Sequence, residues 1–265
     1  MGRLTGKVAL VTGGGTGIGK ATSLLFAQKG ADVAVNFSRS KSDAEDTVSE
    51  IQQLGSKGIA VCADVSNDAS VRSMVQEVVK MLGRLDILVN NAGMTQFVPT
   101  TDLEGMTEEL WDSILGVNVK GTFFCSRAAI SAMRVHNSGH IVNVSSDSAF
   151  TGQGSSIAYT ASKAAIINMT RALAVSQAPE ILVNAVAPGV VETRWIQGME
   201  LFADEYRRKN QLNLLNRKAF EKVITKLNPN VAYVATHDGV FRSDDRCLDD
   251  RSFLHGLVSV PGGCA

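Results

Sequence analysis

The chain has 265 residues, 45% of them apolar and 20% charged, and its 26 basic residues are balanced by 26 acidic ones. That length can hold one large α/β domain with a substantial core, and the zero net charge gives no footing for nucleic acid or an anionic membrane as the main partner. Its four cysteines contain no CxxC and form no Cys/His cluster with its four histidines, so neither a disulfide framework nor a metal site is expected.

The N-terminus enters "GKVALVTGGG" without the basic stretch and long apolar run of a signal peptide. Gly2 raises myristoylation, but Gly6 stands where that signal needs Ser or Thr. "KVALVT" (7–12) predicts a short buried strand and 17–29 a helix. "DVAVNF" (32–37) and "GIAVCA" (58–63) predict the second and third strands. Val71, Met74, Val75, Val78, Val79 and Leu82 then recur at helical spacing, one apolar stripe. "LDILVN" (85–90) is a fourth strand, 107–133 a long helix, "HIVNVS" (140–145) a fifth strand, 157–176 a helix and "ILVNAV" (181–186) a sixth strand. Continuous apolar strands separated by helices predict a parallel sheet covered on both faces, a doubly wound Rossmann-type α/β fold in a single domain. Past about residue 195 the pattern weakens. Residues 199–227 read as helical, and 236–256 as a polar solvated loop whose aspartates at 244–245 and 249–250 lack calcium-loop spacing. No apolar run is long enough to span a bilayer, and a soluble cytoplasmic protein is the expectation.

The chemistry gathers in two places. "TGGGTGIG" (12–19) joins the first strand to the first helix, where glycines admit a ligand close to the backbone and the helix N-terminus favours a pyrophosphate. "YTASK" places Lys163 four residues after Tyr159, on the same helical face. Free tyrosine, with a pKa near ~10, is a poor acid or base at neutral pH. A neighbouring ammonium favours the phenolate, so Lys163 is expected to lower the Tyr159 pKa. Taken alone, either motif is as well explained by an ordinary turn or a surface helix.

Together with "NNAG" (90–93), a serine at 146 and "PGVVET" (188–193), in order along the chain, these motifs resemble the short-chain dehydrogenase/reductase family over about residues 5 to 195. The resemblance implies that Tyr159 is the acid/base at the substrate oxygen and that Lys163 tunes it and binds the nicotinamide ribose. Ser146, thirteen positions before the tyrosine, would polarise the carbonyl, and Asn118 in "NVKG" would hold a water of the proton relay. It also implies a cofactor site. Gly13, Thr16, Gly17, Ile18 and Gly19 would cradle the pyrophosphate, and Asp64 and Val65 would meet the adenine. Asn90, Ala92 and Gly93 would line the adenosine-side ribose, while Pro188, Gly189 and Thr193 would hold the nicotinamide carboxamide.

The second strand ends in "NFSRS", with no carboxylate to bond a ribose 2′-hydroxyl, while Ser38 and Arg39 can hold a 2′-phosphate. NADP(H) is therefore the expected cofactor, with NAD(H) possible. Met94, Thr95, Phe97, Phe150, Gln153 and Trp195, with Met199 and Phe202 on a lid, would line a largely apolar substrate pocket. The implied activity interconverts a small-molecule ketone and a secondary alcohol, in a homodimer or homotetramer built through the two long helices. The alternative is a dinucleotide-binding sensor or assembly protein with little turnover. Relatives resembling this chain include 3-oxoacyl-carrier-protein reductases and broad ketone or sugar dehydrogenases. The C-terminus departs from the family: it closes "VSVPGGCA", with Pro261 where an aspartate is expected, which puts the last strand and the subunit contact beside it in question.

Overall fold

A computed structural model of the chain describes residues 2–191 and 193–196, together with the strands 232–236 and 239–243. Six parallel strands form the central sheet: β1 (Val8–Val11), β2 (Asp32–Phe37), β3 (Gly58–Cys62), β4 (Ile87–Asn90), β5 (Gly139–Val144) and β6 (Ile181–Val186). Their order is β3-β2-β1-β4-β5-β6. Alternate residues of one strand serve opposite faces, so each strand needs two apolar sets. Val8 and Leu10 of β1 pack with helices α3 (Asp68–Leu82) and α5 (Gly121–Met133) through Val71, Met74, Val78 and Ala129. Ala9 and Val11 pack the other way, against Phe26 of α1 (Gly17–Gln28) and Ala44 and Ile51 of α2 (Lys41–Gln53).

The expected strands all form, the second and sixth with the expected bounds and the other four trimmed or shifted by one or two residues at their ends. The expected helix over 107–133 does not run unbroken. α4 (Glu108–Leu115) passes into a π turn at Gly116–Lys120 before α5 begins, and the Gly121 N–H bonds back to the Gly116 carbonyl. The extra residue in that turn shifts the helical face, a distortion common at functional sites. Gly121 suits the spot because a side chain there would come within 2.8 Å of Val65. Between β5 and β6 lie a single turn, α6 (Ser148–Thr151), and the 21-residue α7 (Ile157–Gln177).

The polar run after 236 is not wholly a loop: β7 (Ala232–Thr236) pairs antiparallel with β8 (Gly239–Ser243) in a separate two-stranded sheet. The expected helix at 199–227 and the paired aspartates lie outside the described residues. No described helix is long and apolar enough to cross a membrane, and no described cluster of His, Cys, Asp or Glu could hold a metal ion.

β1 and β4 are neighbours whose chains leave in opposite directions, to β2 on one side and β5 on the other. Such a switch point opens a crevice beyond the carboxyl ends of the strands, where ligands of open α/β sheets bind.

Candidate active site

A cleft of about 820 Å³ occupies that crevice. At one end lies the glycine turn after β1. Gly13 and Gly17 have φ of +59° and +51°, the left-handed region that favours glycine. Thr12 and its neighbours fix the turn. The Thr12 hydroxyl accepts from the Asn91 and Ala92 N–H groups, each at 2.9 Å, while the Asn91 amide donates to the Thr12 and Gly13 carbonyls at 2.9 and 3.1 Å. On the other side Asn36 accepts from the Gly13 N–H at 3.3 Å and donates to the carbonyls of Phe37, Val61 and Ala63. Thr16 precedes α1 in extended geometry, and neither a capping side chain nor an acidic residue occupies the first turn. The positive end of the helix is therefore left to an anion.

Gly13, Thr16, Gly17, Ile18, Ser38, Arg39, Asp64, Val65, Ala92, Gly93, Pro188, Gly189 and Thr193 all line the cleft. Two expected cofactor residues do not. Gly19 packs under the turn, where a side chain would meet the Gly13 carbonyl at 2.2 Å, so its role is close packing. Asn90 is buried. Its amide donates to Asn143 at 2.8 Å and Ser126 at 3.0 Å, and Asn143 donates on to Thr170 at 2.8 Å. Asn90 therefore knits β4, β5, α5 and α7 beneath the cleft, and its neighbour Asn91 is the one at the surface of the site. Asn36 and Asn91 are the organisers that sequence reasoning passed over; "NN" before a glycine offered the only hint.

Ser38 and Arg39 are exposed at the cleft's far end, and among the described residues Arg39 forms no ion pair. Closer to β6, Arg194 grips Asp43 of α2 through two bonds of 2.8 and 3.2 Å, drawing the segment after β6 across the glycine turn.

Ser146, Tyr159 and Lys163 meet in one wall. Ser156 caps α7 by accepting from the Tyr159 N–H at 3.2 Å, which sets Tyr159 in the first turn. Lys163, one turn on, donates to the Val144 carbonyl at 2.9 Å, with its nitrogen 5.5 Å from the centre of the Tyr159 ring. Ser145 bonds the Lys163 carbonyl at 2.8 Å and so faces the helix. Ser146 is the serine beside the phenol, and its hydroxyl donates to Asp147 at 3.1 Å.

The electrostatics differ from expectation. Burial pushes the Tyr159 phenol up to about 12, the Ser146 hydrogen bond pulls the other way, and the Asp147 charge adds to the rise. Lys163 is not among the groups that move Tyr159; burial lowers its own pKa to about 8. The predicted lowering of Tyr159 is therefore absent among the protein's own groups: burial dominates, and the Lys163 ammonium is committed to Val144.

Asn118 sits in the π turn, fully buried, and does not line the cleft. Its amide donates to the Met94 carbonyl at 3.0 Å and Ser162 at 2.9 Å, and accepts from the Met94 N–H at 2.8 Å. Met94, Thr95, Gln153 and Trp195 line the cleft, Trp195 standing 6.4 Å from Tyr159 between ring centres. Phe97 and Phe150, expected beside them, lie outside it and are 45% and 38% exposed. Met199 and Phe202 fall outside the described residues. In their place the wall carries Asp147, Ser148 and Ser155, which makes it more polar than expected.

Comparison with known proteins agrees with this geometry. The short chain dehydrogenase family model matches residues 7–201. The chain is 43% identical over 192 residues to a 3-oxoacyl-[acyl-carrier-protein] reductase of Thermotoga maritima, covering 72% of this chain and 76% of that protein. It is 39% identical over 222 residues to a (2S)-[(R)-hydroxy(phenyl)methyl]succinyl-CoA dehydrogenase subunit of Thauera aromatica, covering 82% and 83%. A crystal structure of NAD⁺-bound xylitol dehydrogenase superposes with a TM-score of 0.77 at 29% identity, covering 84% of this chain and 92% of that one. The chain belongs to the short-chain dehydrogenase family and is an NAD(P)-dependent oxidoreductase acting on CH–OH and C=O groups.

Proposed function

We propose that the protein uses NADP(H) to interconvert a ketone and a secondary alcohol, with Tyr159 as the acid/base. The observation that carries this is the meeting of Ser146, Tyr159 and Lys163 in one wall of a cleft whose other end offers an uncapped helix start and Arg39. When bound, NADP(H) supplies the hydride that enters or leaves the substrate carbon. The backbone of Gly13, Thr16, Gly17 and Ile18 holds the pyrophosphate, and Ser38 and Arg39 hold the 2′-phosphate. Asp64 and Val65 flank the adenine, Ala92 and Gly93 the neighbouring ribose, and Pro188, Gly189 and Thr193 the carboxamide.

In reduction, Ser146 bonds the carbonyl oxygen and Tyr159 gives it a proton. A phenol pushed up to about 12 keeps that proton at neutral pH but is a weaker acid than free tyrosine, so donation relies on groups that favour the phenolate, the Ser146 hydrogen bond among them. Running the reaction backwards needs a phenolate, and that is where the Lys163 charge matters most. Asn118 spends its whole amide on Met94 and Ser162, and its backbone carbonyl accepts the Thr122 hydroxyl at 2.7 Å, so it positions the wall. Phe123 of α5 and Val175 of α7 are exposed, consistent with a dimer or tetramer through these helices.

Two variants test the reading. Tyr159→Phe is expected to lower turnover by a factor of about 10² or more while leaving NADPH affinity within about twofold; substantial reductase activity in the variant would remove the proton-donor role. Arg39→Glu is expected to raise the NADPH dissociation constant roughly tenfold or more, and that of NADH far less. Equal effects in a fluorescence titration would discard the 2′-phosphate contact.

A further inference from the structure

Trp195 is the largest apolar side chain lining the cleft, it remains 42% exposed, and the reaction as described gives its indole no task. The backbone that carries it is held in place. The Cβ and Cγ2 of Thr193 lie 3.4 Å from where a side chain on Gly17 would begin. Arg194 grips Asp43 at 2.8 and 3.2 Å, and the Trp195 N–H donates to the Thr193 hydroxyl at 3.3 Å. From that anchorage the indole reaches two walls of the cleft. Its Cη2 would meet a Cβ on Gly93, beyond β4, at 3.4 Å, so the absence of a side chain there gives the ring its room. On the other side its ring centre stands 6.4 Å from that of Tyr159 on α7, the two planes inclined at 47°. Two rings at that separation and tilt present an apolar corner with π faces and edges for a third ring to meet. The hydroxyls of Thr95 and Ser155 in the same cleft already satisfy each other and make no demand on a substrate.

We propose that Trp195, with the ring of Tyr159, forms a specificity subsite for an aromatic ring on the substrate, so that the preferred substrates are arylalkyl ketones and the matching secondary alcohols. The assignment rests on the dehydrogenase reading above and narrows it. An aryl group laid on the indole removes exposed apolar surface from water and adds a stacked or edge-to-face contact worth more than the area alone. A saturated ring of the same size is the more apolar of the two, so burial by itself favours the saturated ring and only contact between π systems favours the aryl one. Because the segment before Trp195 is already fastened, little ordering is needed when the substrate arrives.

The test compares 4-phenylbutan-2-one with 4-cyclohexylbutan-2-one in NADPH-dependent reduction, two methylenes isolating the carbonyl from the ring, with acetoacetyl-CoA reduction measured alongside. The expected ratio of kcat/KM for the phenyl over the cyclohexyl ketone is roughly twofold to tenfold. Trp195→Leu, which keeps an apolar side chain but no ring, is expected to bring that ratio to one or below, while Trp195→Phe holds it above one. Because the readout is a ratio, general loss of activity in a variant cancels. A wild-type ratio of one or less overturns the subsite and leaves the dehydrogenase reading standing. A ratio that survives Trp195→Leu does the same, since the indole then faces something other than the substrate ring. So does reduction of acetoacetyl-CoA with neither ketone turned over. Turnover of none of the three overturns both.

Discussion

Lys163 is held at both ends, its carbonyl by Ser145 and its ammonium by Val144. Burial lowers its pKa to about 8, whereas a free lysine titrates near ~10.4. The folded state therefore binds fewer protons than the unfolded chain between those values. Stability carries the full penalty of the buried charge below about pH 8 and regains it as pH rises toward ~10.4. Activity is expected to move the other way, since the ammonium that the proposed reading sets on the nicotinamide ribose is lost over the same range. The kcat/KM for ketone reduction is expected to fall as pH rises through about 8. Lys163→Met should lower turnover by a factor of about 10² or more and flatten that limb. An unchanged falling limb in the variant would assign the titration to another group.

Between elements, the contact that stands out is Arg194 with Asp43, which ties the turn after β6 to the start of α2 and sets Thr193 against Gly17. Both partners are exposed, and exposed ion pairs change equilibria by less than tenfold and weaken with salt. Arg194→Ala is accordingly expected to speed NADPH release about two- to fivefold at low ionic strength and less at high salt. Stopped-flow release rates that are unchanged, or raised equally at all salt concentrations, would show that the segment is held otherwise. A pair separated by 151 residues leaves no local trace in the sequence. The strands do leave one, because burial on both faces writes continuous apolar runs such as "VALV" and "ILVN". The helix at 41–53 was not legible, since only Ala44, Thr47 and Ile51 are buried along a polar segment. The π turn was hidden too, because one extra residue alters which face Asn118 presents without altering composition. Asn90 and Asn91 are neighbours of one type, and only the end of β4 decides which is buried. Catalytic spacing survived all this, because Ser146, Tyr159 and Lys163 lie within a single β5–α7 unit.

For the molecule as a whole, the end of the sheet opposite the cleft is fastened by Asp86. Its carboxylate is 3% exposed and accepts from the Val8 N–H at 3.0 Å, Arg84 at 2.6 and 2.7 Å and Lys7 at 3.2 Å. Burial works to raise its pKa, yet Arg84, the Val8 N–H and Lys7 together hold it below the usual value. A depressed carboxylate stabilises the fold fully above its unfolded pKa of ~3.9 and loses that contribution as pH falls toward the folded value. Asp86→Ala is expected to destabilise by about 2–3 kcal/mol at neutral pH, the lower side of what breaking a buried pair costs because Lys7 is half exposed. The matching fall in Tm is about 4–12 °C, with the difference from wild type narrowing in acid; a shift under 1 °C would show the contact to be dispensable. At the cleft end, Asn90 and Asn143 stand opposite each other in the β4–β5 ladder. Sliding β5 by one residue would turn the Asn143 amide to the face occupied by Val89, Val142 and Val144, and a buried amide stranded there is disfavoured by about 1–3 kcal/mol. The amide pair thus selects one alignment of the two strands as the sheet assembles. That alignment also fixes how far Ser146 sits along the cleft from Ala92 and Gly93. The gap that a substrate must span is inherited from folding, so substitutions at Asn90 or Asn143 can retune which molecules fit without altering any surface a substrate touches.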